Sequence, residues 1–496
     1  MIFHSVRFVL FFILITSAFF FAPHRYQKII LLTFSYIFYA FWGIQHLPIL
    51  LYETAVSYFG GIILRHISYA ERKDNNGHQY VFMKRALLAL FILLLLLPLT
   101  YYKYASFLLR IFTDLSITSR LLNIVETHSV ELPVGISFYT MMSVSYVIDS
   151  FRIPSDSGCA LIDYALSISF FPHLTSGPID RPASLTRQFC GSKTFSYNKA
   201  VYGTKLFVLG LFEKICIADM ITPVTDAVFD RFSTFPGSVL FLSAILYTIQ
   251  LYTDFAGYSY MAIGCASILG YDLQVNFQQP LFASSIGDFW RRWHISLSTW
   301  FRDYVYIPLG GNRHGKIRKC INLILTMLVS GFWHGAGWKY IVWGGIHGFL
   351  QSAETLLKPV SRNKKTPDGI RSPLNHYSSV AFTFLSVSFA FVLFRIDSLS
   401  DALLYARCVV FDFKPNRFYE ELLSVADPVL IAIIAVGGLL LFVIDLIHEK
   451  GKHISELLPE NEHLRHIVYA SILLIIFFMY MYHFGEDASG FIYTRF

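Results

Sequence analysis

Long apolar segments separated by short loops constrain this chain more than any other feature of its sequence. Four of them cover Phe8–Ala22, Ile29–Trp42, Leu47–Leu64 and Ala86–Tyr102. With their flanking residues they approach the roughly 20 apolar residues that span about 30 Å of hydrocarbon. The second segment follows the first after a few residues and without a small-residue cleavage pattern. We therefore predict that the first segment is a retained membrane helix and not a signal peptide.

The composition is that of a multi-pass membrane protein. Hydrophobic residues make up 55% of the 496 residues and charged residues only 15%, whereas about one quarter of a soluble domain is charged. Basic cytoplasmic loops explain the net charge of +7, and the sequence contains no nucleic-acid-binding motif, so no nucleic-acid partner is predicted. The six cysteines are scattered, without a C-x-x-C pair or a cysteine–histidine cluster, so neither a metal site nor a disulfide framework is predicted.

The loops indicate how the N-terminal helices are oriented. Arg25 and Lys28 lie between the first two segments, residues 43–46 contain no Lys or Arg, and residues 65–85 are again basic. Basic loops stay in the cytoplasm. The alternation therefore predicts an N-terminus outside the cytoplasm, although Arg7 argues weakly for the opposite orientation.

The middle of the chain is less regular than its ends. Further apolar stretches cover Leu132–Ile148, Ala160–Phe171, Ser238–Leu251, Ile321–Phe332, Val380–Phe394, Val429–Ile444 and Ile467–Tyr482. Residues 199–219 have no long apolar run, because Lys205, Glu213, Lys214 and Asp219 interrupt it. A charge at bilayer depth costs at least about 2.5–3.5 kcal/mol. We therefore predict a helix inside the bundle or along an interface, whose charges have partners or water.

No internal repeat is apparent in the sequence, although many secondary transporters have two corresponding halves. The polar loops at 358–378 and 448–465 are long enough to be surface excursions but too short to be domains. The unusual polar residues concentrate between Tyr252 and Phe349.

An amphipathic helix is predicted from Asp288 to Tyr304. Large apolar side chains repeat at spacings of three and four residues, which places them on one helix face (Trp290, Trp293, Leu297, Trp300 and Tyr304). Ser285 and Asp288 resemble a capping box at its start, and Pro308 with the following glycines marks a break after it. Such a helix is expected to lie at the membrane surface.

Basic residues are concentrated along and after this helix. From Arg291 to Lys319 there are seven of them against the single acid Asp303 (Arg291, Arg292, Arg302, Arg313, Lys316, Arg318 and Lys319). They fit a cytoplasmic loop, a site for an anionic phosphate-bearing donor, or both. Residues 310–316 match the spacing of a P-loop, but Ile317 replaces its Ser or Thr and no strand precedes it. Nucleotide hydrolysis is therefore not predicted.

His334 and His294 are the candidate catalytic residues. His334 lies in an apolar run among Gly331, Gly335 and Gly337, which remove side-chain bulk and would let a substrate or another backbone approach. Burial would keep its imidazole neutral, as a general base requires. The break near Pro308 allows the chain to turn back, so that both histidines can face one cavity.

Other ionisable residues in apolar surroundings are weaker candidates. Glu53, Asp149, His173 and Asp254 are each predicted to be packing or interfacial polar residues. His347 lies 13 positions after His334, off the same face of a continuous helix, and is not predicted to pair with it.

Two motifs resemble the membrane-bound O-acyltransferase family, and in particular its bacterial branch that includes the alginate O-acetylation membrane protein. They are Trp290-Arg-Arg-Trp-His294, continuing to Arg313, and Phe332-Trp-His334-Gly-Ala336. The resemblance extends over much of the chain, at residues 36–42, 132–139, 171–178, 254–259 and 491–493. The family commonly has Ser and Asp where Ala256 and Tyr260 stand here.

The resemblance implies an all-α polytopic membrane protein: a single domain over residues 1–496, with about ten or more membrane helices and short re-entrant and interfacial helices around a central cavity or tunnel. It implies a catalytic core at about residues 252–350. His334 matches the family's catalytic histidine, and His294 matches its second histidine. The four arginines Arg291, Arg292, Arg302 and Arg313 are predicted to hold the phosphates of a CoA donor by charge-assisted hydrogen bonds.

The implied reaction is the transfer of an acetyl group from cytoplasmic acetyl-CoA to hydroxyl groups of an exported polysaccharide, in a bacterial inner membrane. No permanently bound cofactor is expected. Membrane lipids and an extracytoplasmic acetyl-transfer protein are the expected partners. D-alanyl transfer stays open, as do two other classes: a lipid or glycan transporter without acyl transfer, and a structural membrane subunit.

Overall fold

The computed structural model describes residues 1–73, 77–113, 131–152, 158–357, 373–452 and 461–483. Every regular element in these ranges is a helix, which confirms the all-α prediction. The motif at 491–493 and parts of the loops at 358–378 and 448–465 lie outside the described residues.

Residues 1–207 and 261–274 form one compact unit, and residues 208–260 and 275–496 form another. The first half of the chain contains α1 Val6–Phe21, α2 His24–Ala40, α3 Leu47–Lys73, α4 Gly77–Leu99, α5 Ala105–Thr113, α6 Ile136–Arg152, α7 Leu161–Ser169, α8 Phe171–Leu174, α9 Pro182–Phe189, α10 Tyr197–Leu211 and α11 Asp219–Asp230. The second half contains α12 Gly237–Ile268, α13 Ile286–Arg292, α14 Ile295–Phe301, α15 Gly315–His334, α16 Trp338–Leu357, α17 Pro373–Arg395, α18 Leu399–Phe411, α19 Phe418–Leu423, α20 Pro428–Glu449 and α21 Glu462–His483.

Six helices among the described residues are long and apolar enough to cross a membrane. They cover Ile44–Tyr69, Tyr80–Ile111, Gly237–Ile268, Leu374–Arg395, Pro428–Glu449 and His463–Tyr482. The first two apolar runs of the sequence form α1 and α2, which have 16 and 17 residues. The chain is therefore a multi-pass membrane protein, while the predicted total of ten or more membrane helices is not confirmed.

In the first unit, buried polar side chains pack between helices. Glu53 on α3 is buried and accepts a hydrogen bond of 3.1 Å from the hydroxyl of Thr140 on α6. His173 on α8 is also buried, with its Nδ1 atom 3.8 Å from the carboxylate of Asp180. Both residues were expected to be packing residues, and their positions agree with that expectation.

In the second unit, a buried ion triplet pairs two of the four charges that interrupt the segment at 199–219, those of Lys214 and Asp219. A π-helical turn at Phe212–Ala218 joins α10 to α11. The Lys214 ammonium in this turn lies 2.6 Å from the Asp254 carboxylate and 2.9 Å from that of Asp219. All three side chains are buried, so the predicted partners of these charges are present. Asp254 is thus a structural partner of Lys214.

The predicted helix at 288–304 is two short helices. α13 ends at Arg292, α14 begins at Ile295, and His294 between them adopts a positive φ of 43°. The periodicity correctly identified the apolar face, because Trp290, Trp293, Leu297 and Trp300 are all buried. Periodicity did not reveal the break, because the apolar spacing of three and four residues continues through it.

The predicted ends of this region are confirmed. The Ser285 hydroxyl accepts a hydrogen bond of 3.1 Å from the Asp288 amide, which caps α13. Gly310 and Gly311 have φ values of 106° and 55°, in the turn between the π-helical segment Arg302–Tyr306 and α15. Positive φ is accessible to glycine at little cost, so these residues allow the chain to reverse.

α15 and α16 form a hairpin with a very close backbone contact. A Cβ atom on Gly331 would lie 2.2 Å from the carbonyl oxygen of Tyr340, and one on Gly344 would lie 2.2 Å from that of Met327. Real Cβ atoms do not approach so closely, so glycine is required at both positions. Small residues allow membrane helices to pack at such short distances.

We expect Gly344→Ala to lower stability, by about 1–3 kcal/mol, because the added methyl group must push α16 away from α15. The melting temperature of the detergent-solubilised protein measures the effect. Gly345→Ala is the matched control, since among the described residues its Cβ would meet only Leu328, at 3.7 Å. Equal melting temperatures for the two variants would contradict the close contact.

Candidate active site

His294 occupies the break between α13 and α14. Its backbone is left-handed, and Asn276 in the segment before α13 forms hydrogen bonds with the start of α14. The Ile295 amide donates to the Asn276 carbonyl oxygen at 2.9 Å, and the Ser296 hydroxyl donates to the Asn276 side-chain oxygen at 2.6 Å. These bonds keep the His294 ring inside the second unit, where its exposure is 0%.

The His294 ring lies among aromatic side chains. The ring of Phe255 is 4.6 Å away and that of Trp333 is 6.3 Å away, both edge to face. His294 lies outside all six candidate spans. Burial lowers its pKa to about 3, because the charged form would lose its hydration. The imidazole is therefore neutral at physiological pH.

His334 is the last residue of α15 and is also buried. Three aromatic rings surround it edge to face: Trp333 at 4.9 Å, Trp343 at 5.0 Å and Phe394 at 5.3 Å. An apolar shell of this kind favours the neutral imidazole, which is the form that accepts a proton.

The glycines around His334 make room for Tyr340 of the adjacent helix. A Cβ atom on Gly335 would lie 2.1 Å from the Tyr340 ring, and one on Gly331 would lie 2.2 Å from the Tyr340 carbonyl oxygen. Of the two roles predicted for these glycines, the approach of another backbone is therefore the one observed. The close packing holds the turn after His334 in place.

The two predicted histidines belong to one aromatic cluster. The Trp333 ring contacts both of them, at 6.3 Å from His294 and 4.9 Å from His334. The helix break at His294 and the end of α15 at His334 bring together residues 40 positions apart in the sequence.

The structure adds His347 to this cluster. Its ring on α16 lies 4.8 Å from that of Trp343, which in turn contacts His334. The sequence argument against pairing it with His334 assumed a continuous helix, whereas the chain reverses between α15 and α16. The glycines at 335 and 337 were the available signal for that reversal.

A cavity of about 590 Å³ opens beside this cluster. Its lining residues are Gln278, Gln279, Asp288, Trp290, Arg291, Arg292, Ile295, Ser298, Thr299, Arg302, His448 and Glu449. Three of the four predicted donor-binding arginines are therefore brought together. Arg313 is on the exposed turn before α15 and is not a lining residue.

Carboxylates already pair with the arginines of this cavity. Arg292 forms ion pairs with Glu449 at 2.5 Å and with Asp288 at 3.2 Å. Arg291 lies 3.3 Å from Asp288, and Arg302 lies 2.8 Å from Asp303. Arg291 and Arg302 are mostly exposed, so their pairs are weak and are open to exchange with an anionic ligand.

Trp290 separates the cavity from the histidines. It lines the cavity, and its ring lies 5.6 Å from that of Trp343, which contacts His334. Neither His294 nor His334 lines the cavity itself. The site thus combines a polar, arginine-rich opening with a buried histidine cluster behind Trp290.

Comparison with known proteins identifies the family. Residues 155–394 match the family model of membrane-bound O-acyltransferases. A probable alginate O-acetylase of Azotobacter vinelandii is 39% identical over 403 residues, which cover 81% of this chain and 76% of that protein. The peptidoglycan O-acetyltransferase of Helicobacter pylori is 32% identical over 404 residues, covering 76% of this chain and 72% of that protein.

A more distant relative is the teichoic acid D-alanyltransferase of Bacillus subtilis, which is 28% identical over 278 residues, covering 52% of this chain and 68% of that protein. The chain therefore belongs to the membrane-bound O-acyltransferase family and is a membrane acyltransferase.

The lowered pKa of His294 predicts a pH-dependent contribution to stability. Between pH 6.5 and about 3, the unfolded chain binds a proton at this residue and the folded protein does not. The free energy of unfolding therefore decreases as the pH falls below 6.5, because protonation stabilises only the unfolded chain. His294→Asn, which tolerates the left-handed backbone, should show a smaller drop in melting temperature from pH 7.5 to about 5.

The exposed His314 provides the control, and His314→Asn should keep the wild-type pH dependence. An unchanged slope in His294→Asn would contradict the buried, neutral imidazole.

Proposed function

We propose that this membrane-bound O-acyltransferase transfers an acetyl group from acetyl-CoA to hydroxyl groups of an exported polysaccharide, with His334 as the general base. The observation that carries the proposal is the buried cluster of His294 and His334 around Trp333, next to an arginine-lined cavity. It provides a proton acceptor and an anion site, the two groups that acyl transfer from a phosphate-bearing thioester requires.

The donor is proposed to bind in the cavity beside α13 and α14. Arg291, Arg292 and Arg302 all line it, and guanidinium groups bind phosphate through paired charge-assisted hydrogen bonds. Gln278 and Gln279 add amide groups to the same wall. The donor's acyl end must then pass Trp290 to reach His334.

His334 is proposed to take the proton of the acceptor hydroxyl as the oxygen attacks the thioester carbonyl carbon. The C–O ester bond forms, the C–S bond breaks, and the proton passes from His334 to the leaving thiolate. General-base assistance of this kind contributes about 10²–10⁴-fold. The aromatic rings around His334 exclude water, which otherwise would compete as the acceptor.

His294 is proposed to orient or stabilise the reacting groups. Its neutral imidazole provides a hydrogen-bond donor and an acceptor within the same aromatic cluster. The strained backbone at this residue holds the ring in one place, which is the preorganisation that electrostatic stabilisation needs.

The acceptor is proposed to be alginate or a related exported glycan. The relative with the highest identity described above is a probable alginate O-acetylase, and the next acts on peptidoglycan by its name. The lower identity of the D-alanyltransferase makes acetyl the favoured acyl group. A location in the bacterial inner membrane and an extracytoplasmic acetyl-transfer protein as partner complete the proposal.

Replacing His334 with Ala should abolish acetyl transfer. We expect the rate of ester formation to fall by at least about 10²-fold, because the base is lost. The test uses membrane vesicles, [¹⁴C]acetyl-CoA and alginate oligosaccharides, at matched protein levels. The exposed His314→Ala is the control. Undiminished transfer by His334→Ala would refute its role, and glycan export without ester formation by the wild type would favour a transporter.

The arginines of the cavity should control donor affinity. We expect Arg302→Gln to raise the KM for acetyl-CoA by about tenfold, since a hydrogen bond to a charged group is worth about 1.5–3 kcal/mol. Arg313→Gln should leave this KM unchanged, because Arg313 is not a lining residue of the cavity. A larger effect at Arg313 than at Arg302 would place the donor on the exposed turn.

A further inference from the structure

His347 is a buried histidine whose orientation is determined by one hydrogen bond. Its ring has 0% exposure on α16. The indole Nε1–H of Trp290 donates to its Nδ1 atom at 3.2 Å, and the two rings meet edge to face at 5.2 Å. Phe289 and Phe391 lie farther out, each at 6.5 Å.

This hydrogen bond determines which nitrogen of His347 carries the proton. An indole nitrogen can only donate, so Nδ1 must offer a lone pair. In a neutral imidazole the proton is then on Nε2. His347 therefore holds an N–H donor in a known place, fixed by a residue of the cavity wall.

The Nε2 atom of His347 is buried and has no hydrogen-bond partner among the described residues. A buried donor without an acceptor destabilises the structure, because it has lost its hydrogen bonds to water. Each such group calls for an explanation, and a bound ligand or a catalytic role is one. This nitrogen thus lacks an acceptor that a bound substrate would supply.

His347 also lies on the route from the cavity to the proposed base. Trp290 on one side of it lines the cavity. Trp343 on the other side is 4.8 Å from His347 and 5.0 Å from His334. An acyl group that passes Trp290 toward His334 would therefore come close to His347.

We propose that the Nε2–H group of His347 donates a hydrogen bond to the thioester carbonyl oxygen of the donor and stabilises the oxyanion that forms on it. The inference rests on the proposed acetyl transfer. As the hydroxyl oxygen attacks, the carbonyl π electrons move onto this oxygen, and they return when the C–S bond breaks. His347 keeps its proton throughout, and His334 carries the proton from the hydroxyl to the thiolate.

A neutral, fixed imidazole suits this role. A donor that is already oriented needs no reorganisation during the reaction, and in a dry site its bond to a developing charge is strong. Neutral histidine acts as such an electrophile in other enzymes. The Trp290 hydrogen bond provides the orientation, since it prevents the ring from presenting its bare nitrogen to the substrate.

Two substitutions test the roles of the two ring nitrogens of His347 separately. The side-chain oxygen of His347→Asn takes the place of Nδ1 and can still accept from Trp290, but no donor stands at Nε2. The amide nitrogen of His347→Gln takes the place of Nε2 and donates there, without an acceptor for Trp290. The exposed His376→Asn serves as the control.

The kcat and KM for [¹⁴C]acetyl-CoA are measured in membrane vesicles with alginate oligosaccharides, alongside melting temperatures. We expect kcat to fall by about 10²–10³-fold in His347→Asn, the loss typical of removing one oxyanion donor, with little change in KM. His347→Gln should retain clearly more activity than His347→Asn, and His376→Asn should match the wild type.

The reverse order, with His347→Asn active and His347→Gln inactive, would overturn the inference and leave His347 as a support for Trp290. Equal losses that follow the melting temperatures would also overturn it, because they indicate a structural role alone. A wild-type protein that transfers no acetyl group would refute the proposed function, and the inference with it. Normal activity in His347→Asn would refute only the inference.

Discussion

The close contact between α15 and α16 determines the geometry of the candidate site. At Gly331 and Gly344 the backbone of each helix occupies the space where the other would carry a side chain. This contact sets the position of α16 against α15 and so brings Trp343 beside His334, with His347 in contact with the same Trp343 ring. In a lipid environment the apolar effect contributes little between helices, so packing at short distance is what holds such a pair together.

The site consists of two environments with opposite physical properties. Arginine, carboxylate and amide groups line the cavity, where water screens the ion pairs and an anionic ligand can replace a carboxylate partner. Behind Trp290 the histidines are enclosed by aromatic rings, and there the neutral imidazole is favoured. The proposed donor site and the proposed general base therefore lie in adjacent but different environments.

The local sequence predicted much of this region. The spacing of the tryptophans identified the buried face of α13 and α14, Ser285 marked the start, and Pro308 with its glycines marked the end. The interruption at His294 was missed, because the hydrogen bonds to Asn276 that stabilise it come from a segment outside the helix pattern. Similarly, the charge of Lys214 indicated that it needs a partner. The sequence did not indicate that this partner is Asp254.

The sequence by itself determined that the chain is a helical membrane protein and where its apolar segments lie. It also identified His294 and His334 as the candidate catalytic residues. Both results follow from hydrophobic spacing and motifs, which are local properties. Only the tertiary structure decided that three of the four arginines share a cavity, that Trp290 separates it from the histidines, and that His347 belongs to the same cluster. These relations join residues on different helices. They depend on how closely the backbones approach, and no periodicity within one helix encodes that distance.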